Sequence, residues 1–118
     1  MFCLLADVEA RRRTDGKKGL EDGLRAVLRA GGNSSVVWAL DDTLRAMDQG
    51  ISVPVLGELA KRHVDAGAPI DFDRLMRELG VVVTKPGRGA RPGSRATVRL
   101  DDSAPLAAVR QAIVRGKP

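Results

Sequence analysis

The sequence predicts a mainly α-helical protein with one small antiparallel β-hairpin, an α+β class, and three observations carry that expectation. Apolar residues recur at i, i+3, i+4 and i+7 along most of the chain. Two runs near its end, residues 81 to 85 and 96 to 100, are β-branched or alternate apolar with polar, and each reads as a strand. Between them lies a Gly/Pro-rich tip, the composition of a turn.

Taken in order, residues 2 to 13 form a helix with Phe2, Leu5, Ala6 and Glu9 on successive turns, running out into a basic stretch. After TDGKKG, the residues Leu20, Leu24, Val27 and Leu28 share one face of a second helix, in which Gly23 costs roughly 1 kcal/mol against Ala. Gly31 and Gly32 end it. Asn33, Ser34 and Ser35 offer side-chain oxygens to cap a third helix that carries Val37, Leu40, Leu44 and Met47 inward to about Asp48, with Gln49 and Gly50 as its stop. A brief extended piece at 51 to 53 precedes Pro54, whose fixed φ suits the first turn of a helix reaching Asp65, with Leu56, Leu59, Ala60 and His63 inward. Residues 66 to 69 make a tight connection. Asp71 caps the next helix, with Phe72, Leu75, Met76 and Leu79 on one face, and Gly80 closes it in the left-handed conformation. Beyond the strands, Ser103 and Pro105 start a last helix with Leu106, Val109 and Ile113 as its stripe, ending at Gly116.

A length of 118 residues suits one hydrophobic core, so a single domain over 1–118 is expected, with a helical extension at 1–33, a core at 34–101 and a closing helix at 102–118. Leu40, Leu44, Leu56, Leu59, Phe72, Leu75 and Leu79 are the expected shared core. No apolar run approaches the roughly 20 residues that span a bilayer. The opening MFCLLADVEARRR places its charges after its short apolar patch, the reverse of a secretory signal, so a cytoplasmic protein is expected. Cys3 is the sole cysteine and His63 the sole histidine, which leaves no disulfide framework and no His/Cys cluster for a metal.

Charge is distributed unevenly. The chain carries +5 overall, yet residues 11 to 18 sum to +4 and residues 85 to 99 to +5, leaving −4 on the remainder. Fifteen of the twenty cations are arginine. Arginine forks onto phosphate, although a GC-rich coding sequence gives the same bias. Two concentrated patches set up local fields that attract polyanions.

From residue 34 the order is helix, short extended piece, helix, tight turn, helix, strand, basic tip, strand, helix. That order resembles the winged helix-turn-helix superfamily over residues 34 to 101, at the level of topology. The resemblance implies that residues 71 to 79 form the groove-reading helix, with Arg74 and Arg77 toward bases or phosphates, and that residues 85 to 95 form the wing. The helix DFDRLMREL departs from the pattern, because Asp71, Asp73 and Glu78 outnumber its arginines. The expected interface therefore rests on Lys85, Arg88, Arg91, Arg95 and Arg99 of the wing, then on Arg74 and Arg77, with Arg11, Arg12, Arg13, Lys17 and Lys18 as a second phosphate contact.

Other chemistry finds little support. Cys3 and His63 lack an orienting third group, and are expected to be a buried hydrophobe and the edge of a core helix. Asp41–Asp42 and Asp101–Asp102 are adjacent acids that point apart on a helix or precede a helix N-terminus. GRGARPG lacks the Lys-Ser/Thr ending of a phosphate-binding loop. Trp38 and Phe72 suit core packing, not base stacking. The reading is a non-enzymatic double-stranded DNA binder without a cofactor, a homodimer through the helices at 20 to 30 and 103 to 115, whose rival is a module that engages a partner protein through its acidic helix.

Overall fold

The computed structural model describes residues 1–89 and 91–116. Their order is α1 (Phe2–Arg13), α2 (Leu20–Arg29), α3 (Leu40–Ile51), α4 (Val55–Ala60) continued by a π-helical turn (Lys61–Asp65), α5 (Phe72–Leu79), β1 (Val81–Thr84), β2 (Thr97–Leu100) and α6 (Ala107–Arg115). The fold is mainly α with one antiparallel hairpin, as the sequence predicts. Internal contacts divide the chain into two compact units, 1–70 and 71–118. Among the described residues no helix is long and apolar enough to cross a membrane.

The core of the first unit gathers Ala6 and Ala10 from α1, Met47 and Ile51 from α3, and Val55, Leu56 and Leu59 from α4. Phe2, Leu5, Leu20, Val27, Leu44 and Val53 pack around it. Helices α2 and α3 meet through glycine. A Cβ on Gly50 would lie 2.5 Å from Ala26 Cβ and 2.6 Å from the Asp22 carbonyl oxygen, and one on Gly23 would lie 3.0 Å from Met47 Cβ. Gly50 is therefore not the stop that its residue type suggests. It sits inside α3, and its missing side chain is what lets the two backbones approach.

Helix α3 starts later than expected because Asn33 closes a turn instead of capping a helix. Its side-chain oxygen accepts from the Ser35 amide at 2.8 Å and from the Ser35 hydroxyl, so Ser34 to Ala39 lead in outside the helix. Val37 is consequently fully exposed, and Leu40 is exposed rather than in the core. At the other end α3 continues through Ile51, which is fully buried, and breaks at Ser52 in the left-handed region, φ 72°. No extended piece forms at 51. Pro54 flanks α4 rather than opening it, and the capping comes from α3, where the Asp48 carboxylate accepts from the Leu56 amide at 2.7 Å and the Gly57 amide at 2.9 Å.

In the second unit Asp71 caps α5 through the Arg74 amide at 3.0 Å, and Gly80 ends it at φ 75°, both as expected. Leu75, Leu79 and Ala107 are its buried apolar residues. Phe72 is exposed, which removes it from the expected core as well. Asp101 accepts from both the hydroxyl and the amide of Ser103 ahead of α6, and these bonds hold its carboxyl below the usual aspartate range.

The glycine contact gives a test of opposite sign to helix propensity. Gly50→Ala would stabilise an isolated helix by about 0.5 to 1 kcal/mol. Here it is expected to lower the unfolding free energy by about 1 to 3 kcal/mol through overpacking, read by denaturant titration.

Candidate nucleic-acid interface

The hairpin pairs Val81 with Leu100, Val82 with Arg99, Val83 with Val98 and Thr84 with Thr97. Alternation puts Val81, Val83, Val98 and Leu100 on one face, and Val82, Thr84, Thr97 and Arg99 on the other. The ladder stops at Thr84 and Thr97, so Lys85 and Arg95 lie just beyond the strands, on the long connection. That connection turns at Arg91–Ser94, where the Ser94 amide donates to the Arg91 carbonyl at 3.0 Å. Pro92 and Gly93, at φ 89°, occupy its central positions, the sequence preference of a type II turn. Ala90 lies outside the described residues.

Every described residue from 83 to 100 is exposed. Among the described residues, Lys85, Arg88, Arg91, Arg95 and Arg99 make no ion pair. The reason is local. No acid occurs between Glu78 and Asp101, and β1, which faces β2, reads VVVT. Arg99 stands near a carboxylate, that of Asp101, and adds to the lowering of its pKa.

The base of the hairpin is as constrained as its tip is open. Arg110 of α6 is buried and donates through Nη1 to the carbonyls of Leu79 at 2.8 Å, Gly80 at 3.2 Å and Asp101 at 3.2 Å, while Nη2 donates to Asp102. The Asp101 amide donates to the Gly80 carbonyl at 2.7 Å. Both the entry to β1 and the exit from β2 thus converge on one guanidinium. Motif and charge patterning do not single out Arg110, yet a signal is present, because position 110 falls on the Leu106, Val109 and Ile113 stripe, where an arginine must find oxygens or be exposed.

The other expected contacts fare differently. Arg11 is buried, with its side chain 5% exposed, and it bonds Asp7 at 3.2 Å and Glu21 at 3.0 Å. Its guanidinium is thus engaged by two carboxylates of the same unit. Arg12 pairs with Glu9 at 2.8 Å, and Arg13 pairs with Glu9 and with Glu58 at 2.7 Å, Glu58 raising its pKa. Lys17 is exposed and Lys18 half-buried. On α5, Arg74 pairs with Glu78 at 2.9 Å, which raises its pKa, whereas Arg77 is exposed. Cys3 is exposed, contrary to expectation, and His63 Nδ1 lies 2.7 Å from the Ala68 carbonyl oxygen, inside the turn it helps close. An open groove of about 680 Å³ in the first unit is lined by Leu44, Val53, Pro54 and Ala60 under charges of both signs.

Comparison with family models, with curated proteins and with solved structures returns no match. The geometry alone carries the functional reading.

Removing the clamp tests its role. Arg110→Met strips the buried donor from three carbonyls and is expected to destabilise the protein by about 3 kcal/mol. Limited proteolysis should then cut within 81 to 100 faster than in the parent protein.

Proposed function

We propose that this chain is a non-enzymatic double-stranded DNA-binding protein of the cytoplasm, a transcription regulator of winged-helix type whose wing is its main contact. The observation that carries the reading is a row of cations, Lys85, Arg88, Arg91 and Arg95, exposed and without ion pairs among the described residues, on a hairpin whose base is clamped. Guanidinium groups separated by glycine, proline and serine can approach a phosphate backbone closely, because no bulky neighbour holds them off. Each phosphate neutralised releases condensed counterions, and that release supplies the affinity.

Helix α5 contributes less. Arg74 is already engaged by Glu78, and Asp71 by the Arg74 amide, so only Arg77 offers a cation free of an ion pair among the described residues of that helix. The protein is accordingly expected to bind many duplexes with similar affinity. A second reading, engagement of a partner protein by the acidic helix, is favoured by the exposed Phe72 beside the exposed Asp73.

Duplex titrations over a salt series separate the two. Replacing Arg88, Arg91 and Arg95 with Ala is expected to weaken binding to all sequences and to flatten the slope of log K against log salt by about 0.9 for each phosphate that the variant no longer neutralises. The fold should survive, since those side chains lie beyond the ladder. Should Arg77→Ala shift sequence preference, α5 also enters the groove, at about 1 to 3 kcal/mol per base pairing. A parent protein with no salt-dependent affinity for any duplex would rule out the DNA reading, and Asp71, Asp73 and Glu78 would then be the residues to replace in a search for a protein partner.

A further inference from the structure

The first unit leaves apolar side chains that its own helices do not cover. On α2, Leu20 and Val27 pack on the core, but Leu24 and Leu28 do not follow them and stay exposed, Leu28 at 64%. The lead-in to α3 adds Val36, the fully exposed Val37, and Leu40 at 62%. Concentrations of exposed apolar residues of this kind mark interaction surfaces.

The charges bordering this surface identify its occupant. Arg25 and Arg29 lie one turn apart beside the leucine pair, Arg25 held only loosely by Asp22 at 3.7 Å. Asp41 and Asp42 stand exposed in the first turn of α3, and Asp42 meets the exposed Arg45 at 3.1 Å, a surface pair worth little. Exposed apolar residues of the first unit therefore carry cations beside them on α2 and acids beside them at the start of α3. The hairpin's apolar face, with Val83, Val98 and Leu100 exposed, has mainly cations around it, so two copies stacked there would oppose like charges.

We infer that a second copy of this chain docks on the α2 surface about a two-fold axis, so that Leu24, Leu28, Arg25 and Arg29 of each copy meet Val36, Val37, Leu40, Asp41 and Asp42 of the other. A two-fold arrangement forms each Arg–Asp pair twice and covers both apolar halves at once. The proposal is independent of the DNA reading, because every residue in it belongs to the first unit. It also differs from a dimer built on the last helix.

Sedimentation equilibrium of the full chain tests it, together with the emission of Trp38, the sole tryptophan, which adjoins Val37. The expected result is a monomer–dimer equilibrium in the micromolar range, with Trp38 emission moving to shorter wavelength as concentration rises. R25E with R29E, and separately D41R with D42R, should each weaken the dimer about tenfold or more at low salt, and combining all four should restore it. Asp41→Asn with Asp42→Asn reads the same weakening without placing cations at a helix N-terminus. Leu28→Asp should give a monomer with unchanged far-ultraviolet circular dichroism. A parent protein that stays monomeric at high micromolar concentration overturns the proposal and leaves the surface to a different occupant. So does a dimer indifferent to the charge reversals, or a four-residue swap no tighter than either half.

Discussion

Burying an arginine is costly unless its guanidinium finds oxygen for nearly every N–H, and the second unit is organised around meeting that demand for Arg110. Three backbone carbonyls and the Asp102 carboxylate surround it, and the three carbonyls come from the end of α5 and from the two ends of the hairpin. Gly80 has to be glycine on two counts. Its φ of 75° is in the left-handed region, and a Cβ there would sit 2.8 Å from Arg110 Nη1 and 2.9 Å from Ala104 Cβ. With the Leu106 amide also donating to the Glu78 carbonyl at 2.8 Å, α5, the hairpin base and α6 are held by hydrogen bonds from the Arg110 side chain and the backbone rather than by a large apolar core. A long tip can then project without loosening the strands that carry it.

The first unit solves the same problem with a different arginine. Arg11 reaches Asp7 one turn back and Glu21 on α2, while Asp7 also accepts the Leu20 amide at 2.8 Å. One buried cation therefore ties α1 to the start of α2, and Gly19 leaves room for the pair to form. Helices α2 and α3 then close on each other at Gly23 and Gly50, and Asp48 carries the order on into α4. Each junction is a polar group or a missing side chain at one position. Helices this short have little apolar area to direct their packing, so such single interactions decide it.

Much of this is legible from residue type. The α5 cap at Asp71, the left-handed Gly80, the hairpin pairing and the extent of α1 and α2 all follow from local chemistry, and local chemistry is what a sequence displays directly. The expectations fail where tertiary contacts override local preference. Gly50 looks like a stop because glycine disfavours helices, and only the presence of Ala26 and Asp22 opposite shows why a helix keeps it. Asn33 looks like a cap, but its oxygen serves Ser35. Leu24 and Leu28 share a helical stripe with Leu20 and Val27, and periodicity cannot say how wide a face the neighbouring helix covers. For the candidate interface, the hairpin cations are visible as a run without acids. Arg11 and Arg110 are not legible in the same way, because burial of a charge depends on partners far along the chain.

The two basic runs show how similar composition yields opposite states of ion pairing. Residues 11 to 18 and 85 to 99 carry nearly the same charge, and by counting alone they are equal candidates for a polyanion. A helix, however, brings i−3 and i−4 neighbours alongside, and in α1 those neighbours are Asp7 and Glu9, so Arg11, Arg12 and Arg13 are neutralised by their own helix, with Glu21 and Glu58 completing the set. A hairpin neighbours its cations differently, across the ladder, and there the partner strand is VVVT. The tip beyond the ladder has no paired strand opposite it among the described residues. Uncompensated charge on a projecting loop produces a field that reaches about a Debye length, roughly 8 to 10 Å at physiological salt, whereas paired charge on a helix produces a short-range dipole. Whether an arginine cluster is neutralised or left uncompensated is thus set by where the acids fall in the register of the element that carries it.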